Sequence, residues 1–142
     1  MLNFKKINTI TGWIVFLFAF TVYVLTVEPT ASFWDCGEFI ACAFKLMVPH
    51  PPGAPIFLIV GRLFSMLAGD DVTMVAWWIN ISSALFSAFT ILFLFWTITL
   101  LAKKLIPTPG NFGEESHKTA EENPEYSGSQ IISIIGSGVV GA

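Results

Sequence analysis

Apolar residues along the chain fall into long uncharged blocks separated by polar stretches. Residues 7–27 hold 21 consecutive positions without a charge, and at 1.5 Å per residue they make about 32 Å, the thickness of a bilayer's hydrocarbon core. This block is predicted to cross a membrane as a helix. A cleaved signal peptide is the competing reading, since Lys5 and Lys6 precede the block. Its apolar run, however, outlasts the roughly 7–15 residues of such segments, and no A-x-A-like site follows. Residues 72–102 form a second uncharged block of 31 positions, enough for one tilted span and an interfacial turn holding Trp77 and Trp78. The block 54–69 is 16 residues long and is broken by Arg62. That is too short for a full span, and it reads as interfacial or re-entrant.

Charge fixes the orientation of these blocks. Lysine pairs flank the two long ones, Lys5-Lys6 before the first and Lys103-Lys104 after the second, and lysines collect on the cytoplasmic side. Both pairs share that side only if the chain crosses an even number of times between them. Two crossings satisfy this, with the N-terminus cytoplasmic and residues 28–71 extracytoplasmic, in a bacterial inner membrane or the endoplasmic reticulum of a eukaryote. A third crossing by 54–69 would send Asp70-Asp71 to the cytoplasm and Lys103-Lys104 outside, reversing the lysine bias. Residues 103–130 are then a cytoplasmic loop, rich in Glu, Ser, Gly and Asn after Pro107 and Pro109, with no apolar period. A new apolar run at 131–142 reads as the start of a third span, so the chain is expected to be the front of a longer polytopic protein. The fold expected is all-α and membrane-integral.

Composition sharpens the picture. The chain is 54% hydrophobic and 15% aromatic with only 12% charged residues, against roughly 25% charged in soluble domains, which argues against a soluble globule. Its net charge of −3 and scattered basic residues exclude a nucleic-acid partner. Cys36 and Cys42 lie about 9 Å apart along a helix axis, beyond disulfide reach, and are expected as free thiols. His50 and His117 are far apart in sequence, and no zinc-type spacing occurs.

The polar chemistry concentrates between the two spans. Asp35 and Glu38 stand three apart beside Phe33, Trp34 and Phe39, so on a helix both carboxylates share one face. Two readings fit that spacing. One is a capping box, with Ser32 or Asp35 as the cap and Glu38 at the third helical position, and capping boxes are far commoner than active sites. The other is catalysis, in which a carboxylate deprotonates an acceptor hydroxyl. His50 precedes Pro51-Pro52-Gly53 in a turn that fixes its direction. It can bind a phosphate oxygen or relay a proton, although a packed surface histidine is the commoner outcome. Arg62, in an apolar segment, either snorkels to headgroups or pairs with an anion, and Lys45 has the same two options. Asn80-Ile81-Ser82 is a glycosylation sequon, but it lies within a predicted span and should be unused. The Phe86, Phe89, Phe93, Phe95 and Trp96 stripe reads as a membrane face.

The runs Glu28-Pro29-Thr30-Ala31-Ser32-Phe33-Trp34-Asp35-Cys36-Gly37-Glu38-Phe39, His50-Pro51-Pro52-Gly53-Ala54-Pro55 and Gly61-Arg62-Leu63-Phe64 resemble the start of a polytopic membrane family long catalogued as a domain of unknown function. That family is similar to transmembrane protein O-mannosyltransferases. The resemblance covers nearly the whole chain from Ile7 to Ala142. It implies a GT-C-type glycosyltransferase that moves a sugar, mannose by analogy, from a polyisoprenyl-phosphate donor to hydroxyls of extracytoplasmic proteins. It also implies a first outer loop that carries an essential acid and short helices lying along the membrane. Carried over by position, Asp35 is that acid and Glu38 its partner, while His50 and Arg62 are candidates for the donor-phosphate side. The implied partners are the bilayer, the lipid-linked donor and an acceptor protein. No cofactor is expected; the resemblance allows a divalent metal, as GT-C enzymes do, but two acids three apart do not define a site of roughly six to eight oxygen ligands, and none is predicted from this fragment. This fragment alone should be inactive. The alternative is a non-enzymatic membrane protein, a transporter segment or assembly anchor, in which Asp35 and Glu38 cap helices and Arg62 snorkels.

Overall fold

The computed structural model describes residues 4–105 and 126–142, and among these every regular element is helical. Helix α1 spans Phe4–Thr26, α2 Cys36–Lys45, α3 Pro55–Ser65, α4 Val75–Leu105 and α5 Gly128–Gly141. Short 3-10 turns at Met66–Ala68 and Val72–Met74 follow α3 and lead into α4. Two stretches, Phe4–Thr26 and Val72–Leu105, are long and apolar enough to cross a membrane. The chain is thus all-α and membrane-type, as its hydrophobic blocks require.

The uncharged blocks locate the helices but not their ends. Helix α1 starts at Phe4 and so includes Lys5 and Lys6, and α4 runs through Lys103-Lys104 to Leu105, because lysine is a good helix former and favours a helix's C-terminal end. Trp77 and Trp78 lie inside α4 in edge-on contact, 4.9 Å between centroids. The turn expected at this end is the Val72–Met74 element, whose cap is Asp71. The Asp71 side chain accepts from the Thr73 backbone N–H at 3.0 Å and from the Thr73 hydroxyl at 2.6 Å. These bonds hold the Asp71 carboxyl below its usual value. Helix α5 begins at Gly128, three residues ahead of the apolar run. Ser127 and Gln130 close a reciprocal capping box there, a Ser-x-x-Gln pattern that the polar composition of this stretch obscures. Residues 106–125, with most of the expected cytoplasmic loop and His117, lie outside the described residues.

The chain divides into two compact units. The first contains the described residues 4–18, 89–105 and 126–142. Phe16 packs on Phe89 at 4.7 Å and Trp13 meets Trp96 edge-on at 6.3 Å. Phe95, Leu92 and Thr99 are fully buried, and α5 buries Ile131, Ile134 and Gly138, positions at i, i+3 and i+7 on one helical face. Gly138 is glycine because a Cβ there would stand 2.6 Å from Thr99 Cγ2 and 2.9 Å from the Phe95 ring.

The second unit is residues 19–88. Its core joins Cys42 and Ala43 of α2 to Leu58 of α3 and to Val75 and Ile79 of α4, with Ile40, Phe44, Phe57 and Ala68 around them. Helices α2 and α3 touch through their smallest residues. A Cβ on Gly61 would come within 2.9 Å of Ala43 Cβ, so the pair packs closely only with glycine there. Block 54–69 is therefore a short helix plus a turn, seated on α2 by its small and apolar face. Its other face, with Ile56, Ile59, Leu63, Met66 and Leu67, is exposed.

Candidate functional site

Asp35, Glu38 and His50 meet at one place in the second unit. Helix α2 begins at Cys36 with Asp35 in the cap position, yet the Asp35 side chain makes no capping hydrogen bond. The Ser32 hydroxyl goes to Cys36 Sγ at 3.0 Å instead. Glu38, at the third helical position, does not reach back to the cap either. Its Oε1 accepts the backbone N–H of His50 at 2.8 Å and its Oε2 faces His50 Nδ1 at 2.9 Å. The capping-box reading of the Asp-x-x-Glu spacing is thus corrected by the structure. The cause is the turn at 49–53, which returns His50 alongside the first turn of α2 and offers Glu38 two donors better placed than the helix end.

The turn itself follows from its prolines and glycine. The Pro51-Pro52 peptide is cis, Gly53 takes φ +74, and the Gly53 N–H bonds to the His50 carbonyl at 3.1 Å. Few side chains tolerate that φ, which makes glycine the fitting residue. The Phe39 ring meets the His50 imidazole edge-on at 5.8 Å and Phe57 of α3 backs Phe39 at 5.9 Å. The other imidazole nitrogen, Nε2, lies 3.9 Å from Asp35 Oδ2. The three side chains are 41–47% exposed, open enough for a ligand to reach them.

These contacts bias protonation in opposite senses. The hydrogen bond from His50 holds the Glu38 carboxyl below its usual value, helped by the His50 backbone N–H. The same bond to Glu38 raises the His50 imidazole above its usual value, with the charges of Glu38 and Asp35 adding to it. A carboxylate only accepts, so the Glu38 contact requires a hydrogen on Nδ1, and the imidazolium that both carboxylates favour carries a second on Nε2.

The same three side chains form a donor set of the kind that can hold a cation. One ligand atom each from Asp35, Glu38 and His50 lies within 4.8 Å of the others. However, Glu38 Oε1 already accepts the His50 backbone N–H and Oε2 faces Nδ1, which leaves the Asp35 carboxylate and Nε2 where a hard cation takes roughly six to eight oxygens. The arrangement fits a hydrogen-bonded acid–imidazole cluster.

Arg62 is placed elsewhere. Its Nη1 donates to the Phe44 carbonyl at 2.7 Å and its guanidinium lies 5.4 Å from the Phe44 ring. It ties α3 to the C-terminal end of α2, whereas the cluster lies at the N-terminal end. Lys45 has its ammonium over the same ring at 5.2 Å.

Two features escaped the sequence reading. Asn80, whose sequon is expected to be unused, donates from Nδ2 to the carbonyls of Glu28 at 2.8 Å and Thr30 at 3.0 Å, holding the segment that leads to Asp35 against α4. An amide in an otherwise apolar helix was the available signal, since it needs a polar partner. Trp34, next to Asp35, has φ +67 and is 93% exposed. Bulky residues rarely adopt such a φ, and nothing in the sequence marks it.

Comparison with known proteins adds an independent finding. The family model described as Protein O-mannosyl-transferase TMEM260 N-terminal domain matches residues 35–142. The chain is 32% identical over 87 residues to a Dictyostelium discoideum protein named Protein O-mannosyl-transferase tmem260, covering 61% of this chain and 11% of the relative. It is 34% identical over 93 residues to the mouse Protein O-mannosyl-transferase TMEM260, covering 62% of this chain and 12% of the relative. The chain thus spans about an eighth or less of these curated relatives. No solved structure matches it.

Proposed function

The chain belongs to the protein O-mannosyl-transferase TMEM260 N-terminal domain family, and from that membership we propose that its full-length protein is a membrane glycosyltransferase. It moves a sugar, mannose in this reading, from a polyisoprenyl-phosphate donor to hydroxyls of extracytoplasmic proteins, by the GT-C type of mechanism. Residues 28–71 face the extracytoplasmic side and both lysine pairs face the cytoplasm. The observation that carries the reading is the cluster of Asp35, Glu38 and His50 on the segment that joins, in sequence, two helices of membrane-crossing length.

In this reading Asp35 is the base. Its carboxylate is not spent on capping, and it takes the proton of the acceptor hydroxyl as that oxygen bonds to the anomeric carbon. The bond from that carbon to the phosphate oxygen breaks, its electron pair leaves with the lipid phosphate, and the sugar inverts. His50 stands on the phosphate side, since Nε2 can donate to a phosphate oxygen. Arg62 is given no part in this step, because its guanidinium is engaged at the Phe44 carbonyl. The non-enzymatic alternative drew its support from Asp35 and Glu38 as helix caps, and neither side chain caps α2.

Transfer of labelled mannose from polyisoprenyl-phosphate-mannose, by membranes carrying the full-length protein, tests the proposal. Asp35→Asn should lower transfer by roughly 10²–10⁴-fold, the range for loss of a general base. Yield and topology should not change, since no capping bond is removed. Full activity in Asp35→Asn would sink its assignment as base.

A further inference from the structure

Asp35 and Glu38 look alike in sequence, but the structure uses them differently. Both Glu38 oxygens face donors of one residue, the His50 N–H at 2.8 Å and Nδ1 at 2.9 Å. Those bonds stabilise the Glu38 carboxylate and make it a weaker proton acceptor. Asp35 has no capping bond, and its Oδ2 stands 3.9 Å from Nε2, beyond a direct hydrogen bond. Resting on the sugar-transfer reading above, we propose that Glu38 is a positioning residue rather than a second base: it holds His50 as a cationic clasp whose Nε2–H grips a phosphate oxygen of the donor, and leaves Asp35 to take the proton.

Charge supports this division. A lipid-linked sugar phosphate leaves as an anion and is stabilised by a fixed positive donor beside it. Of the three side chains in the cluster, only the imidazole can carry positive charge. The charged groups facing it are Asp35, just ahead of α2, and Glu38 in the first turn of that helix. Its own turn, 49–53, contributes none, and α3 sends its single charged residue, Arg62, to the Phe44 carbonyl. Both neighbours of His50 therefore favour the imidazolium.

The substitution Glu38→Gln separates positioning from catalysis. A glutamine has one accepting and one donating end. With its oxygen on the His50 N–H, it turns its NH₂ toward Nδ1, which must then accept. Nε2 keeps a hydrogen, but the ring is now neutral. The clasp is retained without its charge.

Two measurements on the full-length protein in its membrane test this. Exchange of the His50 C2 hydrogen, followed by mass spectrometry, reads its titration without any need for transfer. The pH dependence of mannosyl transfer, from polyisoprenyl-phosphate-mannose to a hydroxyl-bearing peptide, reads its role. In the wild type transfer should fall as pH rises through the His50 titration. Glu38→Gln should move both the His50 titration and the rate limb to lower pH. At a pH on that limb it should raise the donor KM roughly tenfold, matching the lost imidazolium, with kcat held within a few-fold. His50→Gln should abolish the limb.

Loss of kcat at every pH in Glu38→Gln, with the His50 titration unmoved, would make Glu38 a base and overturn the proposal. An unmoved titration with unmoved transfer would overturn it too, by removing the coupling. If the wild type transfers no mannose at any pH although Glu38→Gln shifts the His50 titration, the sugar-transfer reading is overturned and this inference with it. The other failures do not give that pattern.

Discussion

Glu38 and His50 hold each other through a carboxylate shifted down and an imidazole shifted up, and the sign of each shift sets where the clasp holds. The Glu38 part is fully present above the ordinary carboxyl value of 4.5 and is lost as pH falls through its lower folded value. The His50 part is fully present below the ordinary imidazole value of 6.5 and is lost as pH rises through its higher folded value. The two overlap in full between pH 4.5 and 6.5. Because the His50 backbone N–H is itself donated to Glu38, amide exchange of that residue reports the clasp directly. After correction for intrinsic rate, protection should be greatest within this window and decline on both sides, and Glu38→Gln should remove the window. Flat protection across the range would disprove the linkage. At this scale the sequence showed which polar residues gather in the loop, but not that a turn twelve residues on would redirect Glu38 from the helix end to His50.

The elements were legible where their cause is local. Length and lack of charge mark the two helices long and apolar enough to cross a membrane, and Pro55 at the first position of α3 marks its start. The short helices are settled by packing: Gly61 against Ala43 seats α3 on α2, and Arg62 ties the far end of that pair through the Phe44 carbonyl. Asn80 works at the same scale, fastening residues 28–30 to α4. Replacing it with alanine leaves two carbonyls to water and should cost about 1 kcal/mol of local stability. Faster amide exchange across 27–35 would show this, with transfer reduced because Asp35 follows that segment. An Asn80→Ala protein with unchanged exchange there would show that the two bonds do not hold the segment.

At the scale of the whole molecule the lysine pairs predict the arrangement in the membrane. A reporter fused after Glu28 should be extracytoplasmic and one after Lys104 cytoplasmic, and the reverse would remove the outer-loop placement on which the transfer reading depends. The sequence by itself determined the all-α membrane character, the two long helices and the segment where the chemistry gathers. These follow from runs of apolar residues and from charge counts, which are local properties. Tertiary structure alone decided that Glu38 clasps His50, that Asp35 is left uncapped beside it, that Arg62 serves the α2–α3 pair and that Asn80 holds the loop. Each of these pairings joins residues 12 to 52 positions apart, and a hydrogen bond forms where the fold brings donor to acceptor, a distance that no spacing along the chain contains.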